Sequence, residues 1–256
     1  MFCVTTLGPI LATVTTSLTR TFGLPFGPGN ITLRNFTRLW DIQNIRRAFG
    51  NSFFLAAASG LIVTVVALAV AYVALKGGLR RFHGVKLMQA MVTVPYSVPG
   101  TVIALAMILA FSQPLPGSGI KLYGTIWILL VAYVARFMNL GYNNITGAIS
   151  QIDNTLEEAS RSAGANHLQT FGNIMLPLLR PSLYGSFFLV AAPTLSEITL
   201  SSLLWSVGSE TVGTVVFSAQ EEGKILLTAA LAVILIAVSL LVNFLVRRLS
   251  GDDIGI

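Results

Sequence analysis

The chain has 256 residues, 54% of them hydrophobic and only 10% charged, with 16 Lys and Arg against 10 Asp and Glu for a formal net charge of +6. With a mean hydropathy of +0.77, it lies far from the roughly 25% charged usage of soluble domains, and a water-soluble fold of this size could not hide so much apolar surface. An intrachain disulfide framework is excluded too, because Cys3 is the one cysteine.

Residues 1–18 are apolar and rich in threonine, barely long enough to cross about 30 Å of hydrocarbon, and read as a short first span. No basic residue precedes them and no small-x-small site follows, which disfavours a cleaved signal peptide. A truncated first helix is a third reading. Over residues 35–50, Phe36, Leu39, Trp40, Ile42, Ile45 and Phe49 recur at helical spacing among arginines. This is either a helix lying on the membrane surface or an amphipathic connector packed on the ends of the spans.

Five clearer spans follow: residues 53–75; 87–111, interrupted only by prolines and small polar residues; 122–135, continuing beyond Arg136 to Leu140; 184–205, with Glu197 inside; and 225–246, ending at Arg247 and Arg248. The expectation is an all-α integral membrane protein with about six transmembrane helices. In that topology Lys76, Arg80, Arg81, Lys86, Arg161, Arg180, Arg247 and Arg248 share one side, against Arg20, Arg34, Arg38, Arg46, Arg47, Lys121 and Lys224. The two sets are too even for positive charge to set the orientation.

Nothing in the chain points to catalysis of its own. There is no G-x-x-x-x-G-K-[ST] loop to hold nucleotide phosphates, and His83 and His167 lie in separate polar segments without Cys or carboxylate neighbours at metal-ligand spacing. No metal or cofactor site and no nucleic-acid partner is expected. N-x-[ST] patterns at Asn30, Asn35 and Asn144 are too short to carry weight. A stand-alone transporter or channel would be favoured by inverted repeats, and no second copy of the proline-glycine break near Pro95 is visible. A membrane enzyme would need a convergent catalytic set.

The polar stretch 143–181 is much longer than a typical connection. Thr155 to Glu158 has the form of a capping box, with the threonine hydroxyl serving an early N–H and Glu158 reaching back. Gly164 is placed to end that helix in a left-handed conformation, and Asn166 to cap a second one running to Pro177. The pattern predicts two short helices outside the bilayer.

At these residues the chain resembles a known family. Glu158-Ala159-Ser160, three residues, Gly164, nine residues, then Ile174-Met175-Leu176-Pro177 resembles the EAA loop of type I ABC importer permeases, with Ser160 in place of the second alanine. The resemblance implies that Glu157, Glu158, Ala159, Ser160, Gly164, Ile174, Leu176 and Pro177 form a cytoplasmic coupling loop that docks on a separate ATPase subunit. It further implies a bacterial inner-membrane, multi-pass permease, with ATP hydrolysed by the partner, a periplasmic substrate-binding protein and a second permease half, the same chain or another. Residues 1–50 then become the first helix and a periplasmic connector, 51–248 the permease core in membrane lipid, and 249–256 a cytoplasmic tail.

Val94 to Gly100 resembles the proline-glycine break in the third span of these permeases. The stretch from Glu197 through Gly208-Ser209-Glu210-Thr211 to Gly223 resembles their ferric-iron-type subgroup. Pro95, Pro99, Gly100, Pro193 and Glu197 are accordingly candidates for the translocation path, against simple kinks for the prolines and a pairing of Glu197 with a neighbouring helix or Arg136. Arg136 itself reads as an anchor that snorkels to the interface. Ferric iron is the expected substrate; thiamine, polyamine, phosphonate and oxyanion importers share the same loop.

Overall fold

The computed structural model describes residues 3–76, 83–114, 117 and 119–250, with the backbone alone at residues 3, 4, 83 and 245–250. Arg80, Arg81, the side chains of Arg247 and Arg248 and residues 251–256 of the expected tail lie outside the described residues. In chain order the helices are α1 Gly8–Ser17, α2 Arg34–Asp41, α3 Gln43–Lys76, α4 His83–Ser97, α5 Gly100–Phe111, α6 Ile126–Gln151, α7 Asn154–Ser162, α8 His167–Thr170, α9 Leu176–Leu195, α10 Thr199–Leu204, α11 Val212–Glu221 and α12 Ile225–Ser250. Among the described residues the only β pairing is an isolated antiparallel bridge between Thr19 and Ile31. Contacts divide the chain into two compact units, one of Met1–Leu55, Ala104–Leu129 and Thr194–Leu241, the other of Ala56–Ile103, Leu130–Pro193 and Val242–Ile256.

In the first unit, a 5-residue π turn, Cys3–Leu7, leads into the 10 residues of α1. At about 1.5 Å per residue this helical stretch falls short of the roughly 30 Å hydrocarbon layer. The chain then turns through a Gly- and Pro-rich stretch fastened by two asparagines. The Asn30 amide donates to the Thr21 carbonyl and its Oδ1 accepts the Thr21 N–H, while Asn35 Nδ2 donates to the carbonyls of Ser17 (2.8 Å) and Thr19 (2.9 Å).

The single amphipathic helix expected over residues 35–50 is divided. It breaks at Ile42, whose ψ of 111° is extended, and its second part is the beginning of α3. The helix runs through Asn51 without a break, because nothing stronger than an isolated glycine, about 1 kcal/mol, interrupts it from Gln43 to Lys76. Leu39, Ile45 and Phe49 are buried against Val212, Ala230 and Leu231, so this part of the apolar face packs on protein, while Trp40 and Ile42 of the same set stay exposed. Asn51 and Ser52 fasten the stretch ahead of α11: Asn51 Nδ2 donates to the Glu210 carbonyl (2.8 Å) and the Val212 N–H donates to Ser52 Oγ (2.9 Å).

Among the described residues four helical runs are long and apolar enough to cross a membrane: Gln43–Lys76, Ile126–Gln151, His167–Leu195 and Ile225–Phe244. A fifth crossing follows if α4 and α5, bent by 117° at a short break, together make one span; the break falls at the prolines that interrupt the apolar run 87–111. The span expected over 184–205 is corrected. Its helix starts at His167, runs through Pro177 and ends at Leu195, and residues 199–204 form the separate α10. A π turn at Phe171–Met175 precedes Pro177, placing the residue that lacks an N–H where the hydrogen-bond ladder is already re-phased.

The second unit owes its helix packing to small residues. A Cβ added at Gly60 would lie 2.9 Å from Phe187 Cδ2, and one at Gly141 would lie 2.6 Å from Val63 Cγ1 and 2.9 Å from Ser186 Oγ. Thr64 Oγ1 donates to Ser186 Oγ across the same contact (3.3 Å). Close approach through small residues is how membrane helices gain dispersion energy when no hydrophobic drive separates protein from lipid. Gly141→Val is expected to destabilise the solubilised protein by about 1–3 kcal/mol through overpacking, read as a lower melting temperature in detergent. An unchanged midpoint would contradict the tight packing.

Candidate functional site

The loop that carries the family-like motif lies wholly in the second unit. Asp153 caps α7: its backbone is extended (φ −62°, ψ 136°) and its carboxylate accepts the Thr155 N–H at 2.9 Å. This corrects the expected capping box, since Thr155 is inside the helix and exposed Glu158 caps nothing. Asp153 outcompetes Thr155 because an aspartate two residues earlier is an equally good cap and adds a negative charge at the helix's positive end. The hydrogen bonds from Thr155 hold the Asp153 carboxyl below its ordinary pKa, assisted by the charge of Lys76.

The far end follows the expectation. Gly164 has φ +89°, the Gly164 N–H donates to the Arg161 carbonyl (2.9 Å) and the Ala165 N–H to the Ser160 carbonyl (3.1 Å), the paired bonds of a Schellman stop. Asn166 then caps α8 in a reciprocal box with Gln169, at 2.8 and 2.9 Å. Ser160 does more than replace an alanine, because its hydroxyl bonds Thr170 Oγ1 at 2.9 Å and so joins α7 to α8.

The residue that sequence reading missed is Lys76, at the end of α3. Its Nζ lies 3.0 Å from Glu157 Oε1, donates to Asn154 Oδ1 at 2.5 Å and reaches the Ile152 carbonyl at 3.5 Å. The pair is sheltered, with the Lys76 and Glu157 side chains 8% and 14% exposed. No local pattern signals it, since the partners lie about 80 positions apart in the chain. Tyr72 and Phe171 add an edge-on ring contact at 4.9 Å.

Held from behind in this way, α7 has no buried residue. Glu158, Ala159 and Gly164 are exposed, Glu157 and Ser160 half-buried, and apolar Leu156 and Leu168 are 42% and 83% exposed. Ile174, Leu176 and Pro177 lie instead on the helical run that leads out of the loop, the first two half-buried and Pro177 exposed.

Among the path candidates, Pro95 sits inside α4, Pro99 lies in the break that follows and Gly100 opens α5. Arg136 does not act as an anchor alone: its Nη1 donates to the Val98 carbonyl at 3.0 Å, at that break. Pro193 is inside α9. Glu197, in the other unit, lies between helices and not within a span. Its carboxylate accepts the N–H groups of Leu200 (2.9 Å) and Ser201 (3.1 Å) at the start of α10. Its carbonyl is crowded by α11, where a Cβ added at Gly213 would lie 2.1 Å away.

Residues 78–251 match the family model described as the binding-protein-dependent transport system inner membrane component. The chain belongs to that family. It is thus a transport component of the inner membrane and not an enzyme. The permease is 26% identical over 173 residues to the 2-aminoethylphosphonate transport system permease protein PhnV of Salmonella typhimurium (strain LT2), a match spanning 66% of this chain and 64% of that relative, less than two thirds of its length. It is 27% identical over 204 residues to the ferric transport system permease protein FbpB of Actinobacillus pleuropneumoniae, covering 79% of this chain and 28% of that one. It is 24% identical over 201 residues to the putrescine transport system permease protein PotI of Escherichia coli (strain K12), covering 77% and 70%.

The permease has the fold of a bacterial ABC transporter chain from the alginate import system, with a TM-score of 0.74 at 18% identity, covering 98% of this chain and 92% of that one. The MetNI methionine ABC transporter gives 0.64 at 20% identity, covering 80% and 93%.

Because Lys76 is the permease's link from α3 to α7, Lys76→Met should leave Glu157 sheltered and unpaired, a loss of up to about 3 kcal/mol. Hydrogen exchange across residues 154–162 should speed up in that variant and partly recover in Lys76→Met/Glu157→Met. Equal exchange in all forms would show that the pair does not hold the helix.

Proposed function

We propose that the chain is one transmembrane half of an ATP-driven ABC importer, working with a second permease half, a separate ATPase subunit and a periplasmic substrate-binding protein. The observation that carries this is α7: a helix capped at both ends and clamped by Lys76, yet without a buried residue. A short helix fixed so firmly, with its Leu156 and the neighbouring Leu168 of α8 exposed, suits burial by a partner. In this reading Glu157 through Gly164 face the ATPase on the cytoplasmic side, and residues 208–223 lie on the periplasmic side.

Closure of the ATPase dimer would then move α7 as a rigid body and carry the spans with it. The break at Pro95, Pro99 and Gly100, with Pro193 and Glu197, supplies the path candidates, because irregular backbone at membrane depth is tolerated where it is buried in protein or lines a water-filled cavity. Ferric iron is the substrate we propose, supported by the ferric-type pattern from Glu197 to Gly223 and the 204-residue match to a ferric permease. The phosphonate and putrescine relatives define the competing outcomes in an uptake assay with each substrate's binding protein.

Glu158→Ala removes a free surface charge and Gly164→Val strains a left-handed turn by roughly 1–2 kcal/mol or more. Both variants should insert in the membrane, yet retain less ATPase on co-purification and lose ATP-driven uptake. Wild-type ATPase binding and uptake in both would sink the docking assignment.

Orientation has its own test. In a Cys3→Ser background, single cysteines at exposed Ser162 and at Val207, 90% exposed, should label from opposite faces of the membrane. An impermeant reagent that reaches both from the periplasm would overturn the topology.

A further inference from the structure

In the first unit, a groove of about 330 Å³ runs between Phe22, Arg38, Lys224 and the opening residues of α12, Ile225 to Leu227. Its position relative to the bilayer follows from α12. That helix has a mean hydropathy of 3.0 in its most apolar window, only 17% of which is buried within the chain, so most of its flank is free to meet lipid or a second permease half. The groove sits at its first turn, where hydrocarbon gives way to headgroups.

The surrounding side chains suit that depth. Trp40 and Phe22 are 50% and 59% exposed, as aromatic residues are at membrane interfaces. Asn35, buried and bonded to the carbonyls of Ser17 and Thr19, fixes how α2 lies, and Arg38 follows it by less than one turn. No ion pair holds Arg38 among the described residues. Lys224 pairs with Glu222, but both side chains are more than half exposed, at 57% and 54%, and a screened surface pair exchanges partners readily.

We propose that this groove seats an anionic phospholipid, its phosphate between Arg38 and Lys224 and an acyl chain along Phe22, Ile225 and Leu226. The charge complementarity and the apolar floor select a lipid over a soluble anion, for which the floor would have no use. Each basic contact to an anionic headgroup strengthens binding roughly five-fold.

The test uses the full chain in phosphatidylcholine nanodiscs doped with phosphatidylglycerol, with retained lipids counted by native mass spectrometry after release into detergent. The wild type should retain phosphatidylglycerol in preference to phosphatidylcholine. Arg38→Gln/Lys224→Gln should lower that preference by roughly 25-fold, while Arg38→Lys/Lys224→Arg keeps it. Should the glutamine pair fail to fold, Arg38→Gln alone reads a loss of about five-fold. Inorganic phosphate should leave the lipid in place. Equal retention of the two lipids by the wild type, unchanged preference in the glutamine variants, or displacement by phosphate would each overturn the proposal. So would unchanged lipid preference accompanied by lost binding of the periplasmic protein, which would make the groove a protein contact.

Discussion

A backbone amide or carbonyl freed inside a bilayer has no water to turn to, and each one left unmet costs several kcal/mol. That constraint accounts for where this chain departs from continuous helix and for what stands at each departure. At the α4–α5 break the Val98 carbonyl receives the Arg136 guanidinium. After α9, the N–H groups that open α10 are met by the Glu197 carboxylate. Before Pro177 the ladder passes through a π turn. Arg136, inside α6, reaches a backbone irregularity and Glu197 sits at one, and the cost of each charge is offset by charge-assisted hydrogen bonds.

A second constraint acts on the loop outside the spans. A nine-residue helix such as α7 is too short to persist by itself, since isolated helices below about 12–15 residues are marginal in water. Its stability is borrowed from the Asp153 cap, the Schellman stop at Gly164, the Ser160–Thr170 bond and the Lys76 clamp. All of these act on its ends and inner side. They leave its outer side free, the arrangement a docking element needs.

How much of this was legible in the sequence depended on how local each feature is. Gly164 and Asn166 were readable because a left-handed stop and an Asx cap are set by one residue and its neighbours. The N-cap was misread by two positions because Asp153 and Thr155 are both competent caps, and the charge that favours Asp153 at the helix's positive end is a small bias that the Thr-x-x-Glu pattern masks. Span boundaries slipped for a different reason: apolar runs locate hydrocarbon, while the helix follows the backbone hydrogen-bond ladder, so α6 runs on to Gln151 and the run from His167 reaches Leu195. Glu197 looked like part of one continuous helix because the apolar run passes over a helix break that its composition does not show. Lys76–Glu157 and Arg136–Val98 were out of reach, being long-range pairings that no periodicity encodes.

Within the second unit these contacts form a connected mechanical path. α7 is joined to the end of α3 through Lys76, and to the run that becomes α9 through the Ser160–Thr170 bond and the short turn at Gly164. Further along, α3 and α9 meet again where Gly60 faces Phe187 and Thr64 bonds Ser186, and α6 enters the same contact at Gly141. A displacement imposed on α7 therefore acts on α3 and α9 together, and closely packed small residues leave little slack in which one helix could move without the other. The sheltered ion pair ties α7 to α3, the Ser160–Thr170 bond ties it to the run that becomes α9, and the tight glycine contacts hold α3, α6 and α9 against one another, so α7 is mechanically continuous with all three.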